Sequence, residues 1–305
     1  MEPFVVHVLG CGSATPTPRH MASAQVVEVR GKLFLVDCAE GTQIQLRRSR
    51  LAMCSIQAVF ISHLHGDHFF GLIGLISTFG LLGRQRDLHV YAPATLEKIL
   101  RKQMDMFCYG LEFEVVFHAV DTTQPTVIYE DRSLTVTTIP LQHRVPCAGF
   151  LFREKEGLPH IRRDMIDFYH IPVCQINNIK AGADWVTDDG TVVPHARLVT
   201  PADCPRAYAY CSDTRYIPTL HEQLKGVNLL YHESTYGDDQ RTNAEKYCHS
   251  TAREAAMVAR DAGVGQLMLG HYSARYPDEK VLLAQAQEVF PNTILSDEGM
   301  HVKVE

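Results

Sequence analysis

The run His63-Leu64-His65-Gly66-Asp67-His68 places three imidazoles and a carboxylate in one short stretch of chain. It follows the apolar, strand-like residues Ala58–Ser62 and precedes a segment of helical length that begins near Phe69. A turn from strand to helix lets alternate side chains face one cavity, and Gly66 permits a tight bend there. Because zinc prefers imidazole and carboxylate ligands, this run predicts a metal site.

A purely structural interpretation explains less of this run. Asp67 and His68 could cap the following helix, but a cap requires one such residue and not four. The four side chains could hold a single ion. Alternate side chains can also diverge, with His63 and His65 directed to one ion and Asp67 and His68 to another. Further ligands must then come from elsewhere in the chain.

Three further candidate ligands stand at the ends of other predicted strands. They are His143 after Leu134–Pro140, Asp213 after Tyr208–Ser212, and His271 after Leu267–Gly270. Loops at strand ends are where functional groups concentrate, although each of these residues alone could be an ordinary satisfied polar side chain. Together with the first run, they make up a full ligand set.

The rest of the sequence predicts an α/β fold. With 305 residues and 46% hydrophobic content, the chain can form one large domain or two small ones, and disorder is excluded as its main state. Strands are predicted at Phe4–Leu9, Ala24–Val29, Lys32–Asp37, Gln57–Ile61, Leu88–Tyr91, Leu111–Phe117, Val127–Tyr129, Leu134–Pro140, Ala148–Arg153, Ala207–Ser212, Val227–His232, Gln266–Gly270 and His301–Val304. Helices are predicted at Thr42–Arg50, Phe69–Leu82, Thr95–Met106, Ile217–Leu224, Ser250–Ala262 and Asp278–Phe290. Two sheet-rich halves are compatible with a pseudo-symmetric αββα sandwich.

Residues 154–204 differ in character from the remainder. They are polar and rich in proline, and they offer only a short hairpin signal at Asp188-Asp189-Gly190. We expect an arm that projects from a single domain spanning residues 1–305. In and beside it lie five candidate substrate-binding cations: Arg153, Lys155, Arg162, Arg163 and Lys180. They could position a phosphate backbone without reading bases, and a solvated charged face is the alternative.

Composition narrows the partners and the compartment. A formal charge of −6 argues against indiscriminate binding to nucleic acid but allows a local basic patch. Nine cysteines without a C-x-x-C pair suit reduced thiols in the cytoplasm. The N-terminus has the pattern of a first strand and not of a signal peptide, and no apolar run is long enough to predict a membrane span.

The ligand order H-x-H-x-D-H, followed by His, Asp and His at strand ends, resembles the metallo-β-lactamase superfamily. Within it, the chain resembles the ribonuclease Z family of tRNA 3′ processing endonucleases. The motifs that carry this resemblance are Val36-Asp37-Cys38-Ala39-Glu40-Gly41-Thr42-Gln43, Phe60–His68, Gly71–Leu75, Cys211–Thr214, Tyr231–Thr235, Cys248–Thr251 and Gly270–Tyr276. They are spread over nearly the whole chain, so the resemblance implies an αββα metallo-β-lactamase sandwich throughout.

The resemblance also implies two zinc ions per chain and a role for each ligand. One ion would be held by His63, His65 and His143, the second by Asp67, His68 and His271, with Asp213 bridging both. A shared carboxylate reduces the repulsion between two dications roughly 3.5–4 Å apart. The same His and carboxylate ligands also accept Mn²⁺ or Fe²⁺, so the residues alone leave the metal open.

Three catalytic roles follow from the same resemblance. Asp67 would accept a proton from the attacking water, and His249 would contact the scissile phosphate or protonate the leaving 3′ oxygen. Glu233 would orient His249. The structural alternative is that Ser250, with Glu254 nearby, simply caps the helix that begins there.

The implied activity is hydrolysis of a phosphodiester that removes the 3′ trailer of precursor tRNA and leaves a 3′-hydroxyl. The implied assembly is a homodimer in which the arm of one subunit binds the elbow of the tRNA that the partner subunit cleaves. Two loops depart from the family pattern: Ile171-Pro172-Val173-Cys174 stands where the arm usually has Gly-Pro, and Pro16-Thr17-Pro18-Arg19-His20 only faintly echoes P-x-K-x-R-N. The remaining alternatives are a hydrolase of small phosphodiesters, lactones or thioesters, and a non-catalytic RNA-binding protein.

Overall fold

The structure, a computed structural model, describes residues 2–305. Its strands, numbered in chain order, are β1 (Phe4–Gly10), β2 (Ala24–Val29), β3 (Lys32–Val36), β4 (Ile56–Phe60), β5 (Leu88–Ala92), β6 (Val115–Ala119), β7 (Val127–Glu130), β8 (Leu134–Leu141), β9 (Cys147–Glu154), β10 (His160–Ile161), β11 (Trp185–Val186), β12 (Val192–Val193), β13 (Val199–Thr200), β14 (Ala207–Cys211), β15 (Leu229–Glu233), β16 (Gln266–Gly270), β17 (Thr293–Leu295) and β18 (His301–Lys303).

The helices are numbered in the same way. They are α1 (Thr42–Arg48), α2 (Gly66–Phe69), α3 (Leu72–Leu81), α4 (Thr95–Phe107), α5 (Arg163–Phe168), α6 (Val173–Lys180), α7 (His195–Leu198), α8 (Arg241–Tyr247), α9 (Ala252–Ala262) and α10 (Lys280–Gln287). Within residues 2–305, none of them combines the length and the apolar character needed to cross a bilayer.

Two seven-stranded sheets form the centre of the fold. The first has the order β18-β1-β2-β3-β4-β5-β6 and is parallel from β3 to β6. The second has the order β17-β16-β15-β14-β9-β8-β7 and is parallel from β14 to β17. Because parallel strands all end at the same edge of a sheet, residues that follow β3 and β4, or β14, β15 and β16, are brought close together.

The alternation of apolar side chains along the strands explains the layering. In β3, Phe34 and Val36 belong to the core between the two sheets, whereas Leu33 and Leu35 face the core shared with α1, α3 and α4. Between the sheets, the ring of Phe60 lies 5.5 Å from that of Phe152 in β9. Helices α9 and α10 pack on the second sheet. The predicted αββα sandwich is therefore confirmed.

Residues Glu154–Pro205, with Asp131–Ser133, form a compact unit separate from the sandwich residues. The unit has its own small core of Ile171, Ile179, Val193 and Leu198. Strands β11 and β12 form a hairpin at the predicted position, and Gly190 takes the left-handed conformation that its turn requires, with φ of 83°.

Several element predictions were wrong. Three helices, α5 to α7, lie in the insertion where only a hairpin was expected, because its few core residues are too scattered to give an apolar stripe. Ile217–Leu224 is a short 3-10 helix at Pro218–Glu222 and not an α-helix. Helix α8 was missed because Ala244 is the one buried residue in it, which leaves no apolar period to detect.

Candidate metal centre

The seven predicted ligands lie at strand ends and loops that meet at one edge of the sandwich. His63 follows β4, His65 to His68 open α2, His143 follows β8, Asp213 follows β14, and His271 follows β16. His271 adopts a left-handed backbone conformation with φ of 59°, which costs a non-glycine residue roughly 1–2 kcal/mol. Such strain is typical of functional sites, where the surrounding structure holds a residue in place.

The first ligand group consists of three histidines and one oxygen of Asp213. His63 Nε2 and His143 Nε2 each lie 3.1 Å from His65 Nδ1. Asp213 Oδ2 lies 3.6 Å from His63 Nε2 and 3.7 Å from His143 Nε2. Tetrahedral zinc sites with bonds of about 2.0–2.2 Å have ligand atoms roughly 3.3–3.6 Å apart, so this group has the spacing of one coordination shell.

The second group contains Asp67, His68 and His271. Asp67 Oδ2 lies 3.5 Å from the Nε2 atoms of both histidines. The other oxygen of Asp213, Oδ1, lies 3.1 Å from His271 Nε2 and 3.5 Å from His68 Nε2. Asp213 therefore directs one carboxylate oxygen to each group, as a bridging ligand would.

Second ring nitrogens fix the orientation of four of the histidines. His68 Nδ1 donates to Asp37 Oδ2 at 2.7 Å, and His271 Nδ1 donates to Thr235 Oγ1 at 2.8 Å. His63 Nδ1 donates to Ser62 Oγ at 3.0 Å, and His143 Nδ1 donates to the Cys248 carbonyl at 2.9 Å. Hydrogen bonds of this kind set the tautomer and the direction of metal-binding imidazoles. The Nε2 atoms are thereby directed into the two groups.

The residues fit two cations. Three buried atoms, His68 Nε2, His271 Nε2 and Asp213 Oδ1, have no hydrogen-bond partner among residues 2–305. Burial lowers the pKa of His63 and of His65, which favours the neutral imidazole. Burial also acts to lower the pKa of His68, but the carboxylates of Asp213 and Asp37 outweigh it and raise that pKa, so this part of the site favours positive charge. Burial raises the pKa of Asp213, but the charges of His271, His68 and His63 outweigh it and hold that pKa below its usual range. Neutral imidazoles and an ionised carboxylate are the forms that bind metal.

Asp37 lies next to this centre and holds the ligand His68 in place, a role that was not predicted from the sequence. Its fully buried carboxylate accepts hydrogen bonds from Ser62 N at 2.8 Å, Ser62 Oγ at 2.9 Å, Tyr210 Oη at 2.7 Å and His68 Nδ1 at 2.7 Å. Tyr210 belongs to β14, so this carboxylate also joins the two sheets. The motif Val36–Gln43 contains Asp37 and was the available signal, but a motif by itself does not show which side chain the carboxylate contacts.

A second buried carboxylate orients His249. Glu233 Oε1 lies 2.8 Å from His249 Nδ1 and also accepts the Thr214 N–H. Burial lowers the pKa of His249, but the charge and hydrogen bond of Glu233 outweigh it and raise that pKa to about 9. The proposed capping role of Ser250 is wrong, because Thr251 caps α9 in a capping box with Glu254, and Ser250 Oγ donates to the Thr214 carbonyl.

A cavity of about 420 Å³ opens over the two groups. Asp67, His143, Asp213, His249 and His271 line it. No role was predicted for the residues of its remaining polar wall, although Thr235, Ser273 and Arg275 lie in motifs that carry the family resemblance. This wall includes Ser13, Thr15, Arg144, Thr235, Tyr236, Tyr247, Ser273 and Arg275. Arg144 and Arg275 are isolated cations in the sequence, and only the fold brings them to one cavity.

The predicted substrate-binding cations are not gathered in the same way. Arg153 lies in β9, and Lys155 directly follows that strand. Arg162 and Arg163 stand at the start of α5, and the Arg162 guanidinium is bound to Asp164 at 2.6 Å. Lys180 ends α6. The structure therefore distributes these five residues over three elements and the connecting chain.

The chain matches known proteins over its full length. The Ribonuclease Z of Bacteroides fragilis (strain YCH46) is 56% identical over 304 residues, which cover 100% of both chains. The chain belongs to the ribonuclease Z family. A ribonuclease Z of Phocaeicola vulgatus is 53% identical, with 100% of this chain and 99% of that protein covered. The crystal structure of human tRNase Z, short form, superposes with a TM-score of 0.72 at 26% identity and covers 99% of each chain.

A family model described as Anti-Pycsar protein Apyc1 also matches, over residues 4–158. That range holds β1 to β9 and the ligands from His63 to His143, but it lacks Asp213, Glu233, His249 and His271. The ribonuclease Z relatives, in contrast, extend across both halves of the site. The family assignment therefore rests on them.

Proposed function

We propose that the protein is a metal-dependent endoribonuclease that cleaves precursor tRNA on the 3′ side and leaves a 3′-hydroxyl on the tRNA. The observation that carries this proposal is the pair of ligand groups that share Asp213 beside the Glu233–His249 pair. Membership in the ribonuclease Z family supports the choice of RNA as substrate. We assign two zinc ions per chain, because nitrogen and oxygen donors at this spacing suit zinc.

Zinc at these two groups would supply positive charge for the phosphate oxygens and a water whose pKa is lowered to about 7. The chain's own residues then handle the proton. Asp67 lines the cavity, and although burial raises its pKa, the imidazoles of His271 and His68, each 3.5 Å away, lower it below the usual range. The carboxylate is ionised and can accept a proton from the attacking water.

On the leaving-group side, we assign His249. Its Nδ1 is held by Glu233, so its Nε2 is the atom that remains for a substrate in the cavity. A positioned imidazole can donate a proton to the leaving 3′ oxygen. Arg144 and Arg275, which line the same cavity, can contact the phosphates on either side of the cleaved bond.

The insertion, which we propose as the tRNA-binding arm, does not attract RNA by its overall charge. Residues 154–205 contain five Lys and Arg against eight Asp and Glu, a net formal charge of −3 with neutral histidines. Binding would therefore depend on individual cations such as Arg163 and Lys180. A few phosphate contacts position RNA without reading its sequence.

We also propose a cytoplasmic location and a homodimer. All nine cysteines are free, which suits a reducing compartment. Helices α1, α3 and α4 pack side by side and, with the α2–α3 connection, expose an unusual number of large apolar side chains. These are Ile44, Phe70, Leu81, Leu82, Ile99, Met106 and Phe107, each at least 42% exposed.

The substrate proposal is tested with a 3′-extended precursor tRNA. The purified protein should cut it once, at the 3′ end of the mature sequence, and a chelator should abolish the cut until zinc is restored. Sequencing of the products maps the position. If a small phosphodiester, lactone or thioester is hydrolysed while precursor tRNA stays intact, the nuclease proposal is wrong.

The role of His249 is tested by His249→Ala. Turnover of precursor tRNA should fall by about 10²- to 10⁴-fold, because the variant has no general acid. Zinc content, measured by mass spectrometry, should remain at two ions per chain. His221→Ala, which removes a histidine outside the cavity, is the matched control and should keep full turnover. Loss of zinc from His249→Ala would show a structural role instead.

The arm proposal is tested by Arg163→Ala combined with Lys180→Ala. The slope of log kcat/KM for precursor tRNA against log salt concentration should become shallower by about 1 for each cation that binds a phosphate in the wild-type protein. Hydrolysis of bis(p-nitrophenyl) phosphate, which has no RNA backbone for these cations to bind, should be unchanged. Lys225→Ala serves as the control outside the arm. An equal decrease on both substrates would contradict the arm assignment.

The homodimer is tested by the mass in solution. Light scattering should give twice the mass of one chain, because a partner covers the apolar helical face. Leu81→Glu with Phe107→Glu should give a folded monomer, since two charges oppose burial of this face. A wild-type protein that is monomeric at all concentrations would rule the dimer out.

A further inference from the structure

Four side chains of the kinds that bind metal ions lie together outside the two ligand groups described above, and we call them the second cluster. Cys11 and His20 come from the loop after β1, and Asp297 and Glu298 come from the segment before β18. One ligand atom from each residue lies within 4.8 Å of the others. None of these residues has a place in the proposed reaction.

His20 Nδ1 faces the other three residues of the cluster. This nitrogen lies 3.3 Å from Cys11 Sγ, 2.9 Å from Glu298 Oε2 and 3.9 Å from Asp297 Oδ1. An N–H at this position donates to Glu298 Oε2, and a cation could take the place of that proton. One cation in the middle would satisfy the nitrogen, the sulfur and the carboxylates together.

The spacing also suits a small coordination shell. The distances run from 2.9 Å, between His20 Nδ1 and Glu298 Oε2, to 3.9 Å, between His20 Nδ1 and Asp297 Oδ1. Cys11 Sγ lies 3.6 Å from the other oxygen of Glu298, Oε1, so the separations bracket those of a zinc shell. Zinc bonds of about 2.0–2.3 Å to oxygen, nitrogen and sulfur give tetrahedral edges of roughly 3.3–3.7 Å. Cys11 is fully buried and His20 is nearly so, whereas the Asp297 side chain is 71% exposed, so such an ion would be shielded on the Cys11 side and open to water on the Asp297 side.

His20 has the orientation of the histidines in the catalytic groups. Its second ring nitrogen, Nε2, lies 3.3 Å from Glu279 Oε1. His68 likewise uses one ring nitrogen for Asp37 and turns the other to its ligand group. An imidazole held by a carboxylate on the far side is characteristic of metal ligation. The three carboxylates Glu279, Asp297 and Glu298 also give the cluster an excess of negative charge beside Arg19.

We propose that Cys11, His20 and Glu298, with Asp297 as the fourth ligand, bind one zinc ion in addition to the two catalytic ions. This ion would fix the loop between Cys11 and Met21 to the segment before β18. The loop matters for the active site because its residues Ser13 and Thr15 line the catalytic cavity. It also pairs with the residue after a catalytic ligand, since Ser13 N donates to the Tyr272 carbonyl.

The decisive measurement uses the full-length protein loaded with cobalt. The catalytic groups contain only histidine and aspartate, so a thiolate-to-cobalt charge-transfer band in the near ultraviolet can come only from a site with cysteine. We expect this band and three metal ions per chain in the wild-type protein. Two ions per chain without the band would overturn the proposal, whatever the activity on RNA.

Substitutions assign the third ion to particular ligands. Cys11→Ser and His20→Asn should each lose the band and one ion per chain while keeping two ions. Cys54→Ser, a cysteine outside every ligand group, is the matched control and should keep all three. If Cys11→Ser keeps the band, another thiol is responsible and the proposal is wrong. Because the wild-type spectrum is measured without any substitution, a variant that fails to fold does not remove the test.

Discussion

The buried carboxylate of Asp37 is the interaction on which the centre depends. Removing a charge from water costs several kcal/mol unless hydrogen bonds replace the lost hydration, and here four donors do so. One residue that donates, Ser62, follows β4 in the first sheet, and another, Tyr210, lies in β14 of the second. The same carboxylate accepts a hydrogen bond from His68 Nδ1 and thereby directs the Nε2 atom of that histidine to the second ligand group. Stability of the sandwich and geometry of the site therefore share one interaction.

The polar centre exists because the sandwich beneath it is apolar and rigid. Gathering five histidines and two aspartates at one edge is unfavourable without cations, since buried donors and acceptors such as His271 Nε2 and Asp213 Oδ1 lack partners. The fully buried rings of Phe60, Phe150 and Tyr231 belong to the main hydrophobic core, which also contains the buried side chains of the helices that pack on the second sheet. Protein cores of this density resist displacement, so the strand ends cannot relax away from one another. Bound cations would supply these unpartnered atoms with ligands and so hold the strand ends together.

Local patterns in the sequence predict the elements and the ligands that they contain, whereas residues that only the fold brings together leave no signal in the sequence. The run from His63 to His68 is dense enough to be recognised alone, and the strands before His143, Asp213 and His271 are apolar enough to place those residues at strand ends. The long strands were found for the same reason. Arg144 and Tyr247 lie far apart in the chain, and neither is unusual in its own segment. Helix α8 and the helices of the arm bury too few side chains to produce a periodic signal.

One of the two loops that depart from the expected family pattern is held by the cluster of Cys11, His20, Asp297 and Glu298. Pro16–His20 only faintly echoes P-x-K-x-R-N, yet His20 is nearly buried and lies between Glu298 and Glu279. Divergence of an exposed, unanchored loop would leave its end free. Here the change coincides with a thiol, an imidazole and carboxylates that converge from distant parts of the chain. The departure in sequence and the cluster in space are therefore one feature, and it bears on how Ser13 and Thr15 are presented to the cavity.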